Sequence, residues 1–175
     1  MTVLRQLESS DAVALADLVQ RNRVFLDPWE PVRPDSYFTL AGQQEVVAAS
    51  LARQAEGTGF CQVILDETGA VAGRINLNTI VRGPFQSASV GYWLSQDAGG
   101  RGLATRAVIE LAELAFGTLG LHRLEAGTIP ENHRSQAVLQ RAGFERFGYA
   151  PGYLQIAGRW QDHLLFQRLN PRAEQ

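Results

Sequence analysis

The sequence predicts an α/β (α+β) fold: a central, mixed but mostly antiparallel sheet flanked by helices. Two observations predict it. Strand-like and helix-like stretches follow one another in mixed order along the chain, and two of the strand candidates are joined directly by a hairpin signal at Asp66, Glu67, Thr68 and Gly69. The chain has 175 residues, of which 45% are hydrophobic and 19% charged, enough for one domain with a full core. A single domain over 1–175 is expected, ending in a polar tail at 170–175.

Each element follows from local pattern. Residues 3–7 form a short strand candidate. Asp11 is placed to cap a helix whose apolar stripe is Val13, Leu15, Leu18 and Val19. Residues 21–34 read as a proline-bearing connection with exposed aromatics, and 39–56 as a helix. Residues 60–65 and 70–79 are the two arms of the hairpin. Arg82, Gly83 and Pro84 make a turn, and 89–94 is an apolar, aromatic strand. From Leu103 the apolar residues Ala104, Ala107, Val108, Leu111, Leu114 and Ala115 recur at helical spacing. A strand at 121–128 and a short capped helix from Asn132 come next, then two final strands around 149–156 and 164–168.

Composition excludes several classes of function. The net charge is −2, so no broad field is available to hold nucleic acid. Cys61 is the single cysteine, cannot form an internal disulfide, and fits a buried strand position better than a nucleophile. His122, His133 and His163 lack metal-ligand spacing. No apolar run is long enough for a membrane span, and the start at Met1 lacks a charged-then-apolar leader, so the expected location is the cytoplasm.

Two segments carry chemistry. Gly99, Gly100, Arg101 and Gly102 form a glycine turn that leads into the helix beginning at Leu103, Ala104 and Thr105. A glycine turn at a helix N-terminus directs unpaired N–H groups to one place, where the helix dipole and Arg101 add positive charge. It reads as a pyrophosphate cradle, although a flexible loop ahead of a helix has the same composition. The spacing fits neither a dinucleotide fingerprint nor a P-loop. The second segment runs from Asn132 through Ser135 and Leu139 to Gly143 and Phe144. Asn132 is a good N-cap, and Gly143 followed by Phe144 is a left-handed stop with its apolar contact.

Together these segments resemble the GNAT acetyltransferase superfamily. There the first motif is Gln/Arg-x-x-Gly-x-Gly/Ala and the second is Asn-x-x-Ser-x-x-x-Leu-x-x-x-Gly-Phe. Gly102 and Ala104 match the first, Gly99 standing where Gln or Arg is usual, and Asn132, Ser135, Leu139, Gly143 and Phe144 match the second. Pro28-Trp29-Glu30-Pro31-Val32, Val81-Arg82-Gly83 and Gly158-Arg159-Trp160-Gln161-Asp162-His163 are similar to the RimJ/RimL branch of ribosomal-protein N-acetyltransferases, nearest its alanine-specific type.

The resemblance implies a GNAT fold with six to seven strands, splayed between strands four and five. It implies acetyl-CoA as co-substrate and direct transfer of acetyl to a primary amine, most simply the N-terminal α-amine of a protein. The residues implied to bind the cofactor are Trp93, Leu94, Ser95, Gly99, Gly100, Arg101, Gly102, Leu103, Ala104, Thr105, Asn132 and Ser135. The backbone of Trp93, Leu94 and Ser95, freed by the splay, would hold the pantetheine arm. Ser135 is the implied partner of the leaving thiolate; a serine that only satisfies backbone donors is the alternative. No base carries over, because Gly152 stands where some relatives have an acidic residue. Glu30 is the best remaining carboxylate and Glu125 the second, while Trp29 and Trp160 are candidate walls and Asp27 and Asp35 candidate acidic walls of the acceptor site. Small-amine acylation (a polyamine, an amino acid or an antibiotic), succinyl transfer and a silent CoA-binding module are the competing functions. A homodimer is a further expectation from the family.

Overall fold

The computed structural model describes residues 2–171. Seven strands form one sheet: β1 Leu4–Gln6, β2 Phe60–Leu65, β3 Val71–Val81, β4 Ser87–Leu94, β5 Arg123–Thr128, β6 Glu145–Ile156 and β7 Arg159–Leu169. Their order in the sheet is β1-β2-β3-β4-β5-β7-β6. Every neighbouring pair is antiparallel except β4 with β5. A parallel pair needs a crossover, and the helix α4, Leu103–Gly117, supplies it.

Helices cover both faces. On one face α4 lays Leu103, Ala107, Leu111 and Ala115 against Ile75 and Leu77 of β3, Ala88 and Val90 of β4, and Phe166 of β7. On the other, α1 (Ala12–Arg21) and α3 (Leu40–Ala55) place Leu15 and Val47 over Cys61 and Val63 of β2. Cys61 is buried in its strand, as its apolar run predicts. Burying an aliphatic or aromatic side chain of this size contributes about 1.5–3 kcal/mol, so alternation along the central strands is what selects the register.

Three local outcomes differ from expectation. Asp11 does not cap α1 with its side chain. A 3₁₀ turn at Ser9–Asp11 already has Asp11 in helical geometry, and its carboxylate instead accepts the Glu8 amide at 2.8 Å and pairs with Arg5. The connection at 21–34 contains a helical turn of its own, α2 (Arg23–Leu26), and a 3₁₀ turn at Asp27–Trp29. The last two strands are longer than predicted and meet at Ala157 and Gly158, both at positive φ (49° and 76°), as a two-residue hairpin turn requires. Of the tail at 170–175, only Asn170 and Pro171 fall among the described residues. No helix among the described residues is long and apolar enough to cross a membrane.

Candidate active site

The sheet opens along β4. Its parallel register with β5 covers only Ser87↔Arg123, Ala88↔Leu124 and Ser89↔Glu125. Its antiparallel register with β3 continues to Leu94↔Gly73. The last five residues of β4, Val90 to Leu94, therefore have a neighbour on one side only.

Hydrogen bonds at the two ends of β4 assign which backbone groups face the opening. The Gln86 carbonyl accepts from the His122 and Arg123 amides on the β5 side, whereas the Ser95 amide donates to Ala72 on the β3 side at 2.8 Å. Successive residues of a strand point to opposite sides. Leu94 and Tyr92 thus direct their N–H and C=O groups into the opening, while Trp93 directs its own at β3. Of the expected trio, only Leu94 has its main chain free toward the opening. The Ser95 amide is already paired with the Ala72 carbonyl, because the same alternation turns it to β3.

Ser95 has a different task. Its hydroxyl accepts from Asn22 Nδ2 at 2.9 Å and donates to Asp97. Asn22 also accepts the Gln96 amide at 2.8 Å and donates to the Leu18 carbonyl at 2.9 Å. The Ser95 bond holds the Asp97 carboxyl below the usual range. Asn22 is buried and ties α1 to the end of β4, a role no local sequence signal announces. Asn22→Leu strands the Gln96 amide and the Ser95 hydroxyl in a buried place. Urea denaturation is expected to register a loss of about 2 kcal/mol; a change within error would mean that water replaces the asparagine without cost.

The turn into α4 leaves the N-terminal end of the helix uncovered by side chains at its cap. Gly100 and Gly102 are left-handed, at φ 79° and 73°. Gly102 is the N-cap and has no side chain to occupy the helix end; its carbonyl accepts the Arg106 amide at 3.1 Å. The amides of Leu103, Ala104 and Thr105 precede that first intrahelical bond and form the electropositive end of the helix. Arg101 folds back to donate to the Asp97 carbonyl at 3.0 Å and stays exposed. Gly99 is extended, at φ −70°.

On the other side of the opening stands α5, His133–Arg141. Asn132 caps it, its Oδ1 accepting the Ser135 amide at 3.0 Å. At its far end the Gly143 amide bonds to Gln140 and the Phe144 amide to Leu139, the left-handed stop predicted from Gly143 and Phe144. The Ser135 hydroxyl lies 2.8 Å from the Tyr92 phenol, which also reaches the Ser135 carbonyl at 3.3 Å. Burial pushes the Tyr92 phenol up to about 12, against the opposing pull of the Ser135 hydrogen bond. Tyr92 therefore keeps its proton at neutral pH and holds Ser135 at the edge of the opening. Tyr92 was not among the residues expected from sequence, where it is only one aromatic of a strand.

A cleft of about 840 Å³ reaches the opening from the α3 face of the sheet. Its floor is Arg74, Asn76 and Asn78 of β3 with Ser89, Gly91 and Trp93 of β4, and its rim includes Phe85, Phe147 and Tyr153. Glu30 and Glu125 both line it. The Glu30 carbonyl accepts the Ala157 amide at 2.9 Å, which fastens this connection over the β6–β7 turn. Burial raises the Glu30 carboxyl above its ordinary value, against the pull of Arg33, 3.6 Å away. Glu125 is paired with Arg123 at 3.2 Å.

Trp29 and Trp160 do not line the cleft, and neither do Asp27 and Asp35. Trp160 projects to solvent from the hairpin end, and Asp35 is taken up by Arg23 at 2.8 Å. The Gly152 amide donates to Asp162 at 2.8 Å. His163 is buried, with Nδ1 3.0 Å from the Gln161 carbonyl.

This arrangement, a sheet splayed after Ser89 beside a glycine-capped helix, is matched by known proteins. Residues 2–145 fit the model of the acetyltransferase (GNAT) domain. The chain belongs to the GNAT acetyltransferase family. It is 36% identical over 170 residues to the [ribosomal protein uS5]-alanine N-acetyltransferase of Escherichia coli, covering 97% of this chain and 88% of that one. The ribosomal-protein-S5-alanine acetyltransferase of Vibrio fischeri superposes with a TM-score of 0.91 at 35% identity, over 97% of this chain and 93% of that one. RimJ of Mycobacterium smegmatis in complex with CoA-disulfide superposes with a TM-score of 0.92 at 30% identity, over 98% of this chain and 83% of that one. The GNAT chain described here is an N-acetyltransferase of the RimJ/RimL kind, and its splay between the fourth and fifth strands is the one the resemblance implies.

Proposed function

We propose that the chain moves acetyl from acetyl-CoA directly to the N-terminal α-amine of a protein, in the manner of the ribosomal-protein-alanine enzymes. One observation carries the reading: the Ser135–Tyr92 hydroxyl pair lies at the same opening of β4 that the acceptor cleft reaches.

The turn from Gly99 to Thr105, with Arg101, receives the pyrophosphate. The outward backbone of Leu94 and Tyr92 receives the pantetheine arm as an added strand would, and the Leu94 amide faces the thioester oxygen as charge develops there. Ser135 stabilises the departing thiolate. When Tyr92 donates to Ser135 Oγ, the serine proton is left to point at the sulfur. Asn132 fixes the serine by holding its amide. Glu30 accepts the amine proton, directly or through water. An α-amine has a reference pKa near 7.7–8.0 and a lysine amine about 10.4, so a modest base is enough for the former. Acetyl-CoA and ribosomal acceptors meet in the cytoplasm, where this reading places the chain.

The test is thiol release from acetyl-CoA with short peptides bearing free Ala, Ser or Met N-termini, beside polyamines and aminoglycosides. Turnover confined to peptides is expected; turnover confined to small amines contradicts the acceptor class. The pH profile follows from Glu30. Burial raises its carboxyl from the ordinary value, and only its ionised form accepts a proton. The acid limb of kcat/KM therefore rises with pH and is displaced upward from that of an ordinary glutamate. Glu30→Gln is expected to remove this limb and leave only the titration of the amine; an unchanged limb would assign the base elsewhere.

A further inference from the structure

We infer that the acceptor cleft contains an anion subsite built on Arg53 and Arg74, and that the acceptor carries a carboxylate near its reacting amine. The inference rests on the acetyl-transfer reading above.

Arg53 Nη2 and Arg74 Nη2 each donate to the hydroxyl of Ser50 at 3.2 Å. Ser50 is buried and its own proton goes to the Val46 carbonyl at 2.8 Å, which leaves its oxygen as the acceptor for both cations. Arg74 is further fixed by Asn76 Oδ1 at 3.0 Å. Two guanidiniums are thus held side by side on one neutral oxygen. Among the described residues, no carboxylate lies within ion-pair distance of either. Of the two cleft carboxylates, Glu125 lies 3.2 Å from Arg123, and Glu30 lies 3.6 Å from Arg33 and within Coulombic reach of Arg74. Arg53 is exposed and Arg74 half-buried, and Glu30 acts on Arg74 only through space; a ligand carboxylate would supply the close anionic partner that neither guanidinium has. The forked N–H groups of arginine match a carboxylate.

Position supports the same ligand. Arg74 is the register partner of Trp93, next to the outward-facing Leu94, and both arginines line the cleft. An extended peptide advances about 3.3–3.6 Å per residue. A chain with its amine at β4 therefore brings one of its next few side chains to the arginines. The cleft volume of about 840 Å³ suits several residues better than one amino acid, so the favoured source is an Asp or Glu side chain near a protein N-terminus. A free α-carboxylate is the other source of the same chemistry.

The experiment measures kcat/KM for short Ala-initiated peptides with Glu or Gln at the second, third or fourth residue, beside amino acids and their decarboxylated amines. The expected result is a preference for Glu of about tenfold at one position. The Glu-to-Gln ratio is expected to fall to near one in Arg53→Gln and Arg74→Gln, and Arg53→Glu to favour Lys over Glu at that position. A ratio within one variant is unaffected by partial loss of folded enzyme. Calorimetric binding of the same peptides to the CoA complex reads the subsite without turnover. Peptide turnover with equal rates for Glu and Gln overturns the subsite and leaves the protein-acceptor reading intact. No peptide turnover or binding, with amino acids preferred over their decarboxylated amines, keeps the subsite and overturns the protein acceptor. Indifference to the carboxylate in both panels overturns the subsite outright.

Discussion

Ser135→Ala is expected to lower kcat by about two orders of magnitude, the usual loss when a positioned proton donor is removed. The KM for acetyl-CoA is expected to change little, because the hydroxyl acts on charge that appears at sulfur only in the transition state. Tyr92→Phe tests the other half of the pair. It leaves the ring in the core and removes only the group 2.8 Å from Ser135 Oγ. Its loss of kcat should be smaller, since the serine remains. The double variant should be little worse than Ser135→Ala alone, as expected for residues that act as one unit. Steady-state kinetics on the three variants decides it. Additive losses would mean that the two hydroxyls act independently, and a Ser135→Ala enzyme with normal kcat would reduce the serine to a first-turn helix residue.

Gly102→Val carries the second large effect, and it falls on cofactor binding. Gly102 is left-handed at φ 73°, and a Cβ added there would meet no atom within 4 Å. The obstacle is therefore conformational: a β-branched residue in that region costs about 1–3 kcal/mol. The turn relaxes at the point where the amides of Leu103, Ala104 and Thr105 are aimed. The KM for acetyl-CoA is expected to rise about tenfold or more, with a smaller change in kcat at saturation. Gly99→Ala is the milder control. Gly99 is extended, and its new Cβ would meet only the Gln96 carbonyl at 3.1 Å. Equal effects at Gly99 and Gly102 would mean that empty space, not backbone geometry, makes the turn work.

Much of the fold was legible because amphipathic period and caps are local. The helix at 39–56 was bounded by Thr39, whose hydroxyl accepts the Gly42 amide at 3.1 Å, and α5 was bounded by Asn132 and Gly143. β6 was harder to bound. It is an edge strand, almost wholly exposed until Ile156, so it has no alternation of burial to read. α2 has four residues, too few for any period.

The site was legible where chemistry is local and obscure where it depends on distant pairing. The glycines before α4 and the Asn132–Ser135 spacing lie within single turns of chain. The partners Tyr92 and Ser135 are 43 residues apart, Ser50 and Arg74 are 24 apart, and Asn22 and Ser95 are 73 apart. Nothing in any of these segments alone specifies its partner. Ser95 illustrates the limit: its position beside Leu94 suggested a backbone role at the splay, but strand alternation turns its amide to β3 and leaves the side chain to the Asn22 network.

The most direct test of the central claim is to incubate the enzyme and acetyl-CoA with one peptide bearing both a free N-terminal alanine and an internal lysine, and to map the product by fragment mass spectrometry. The account predicts a single acetyl group on the α-amine, with the lysine unmodified and the reaction slowed about a hundredfold in Ser135→Ala. Acetyl on the lysine alone, or equal labelling of both amines, would contradict it.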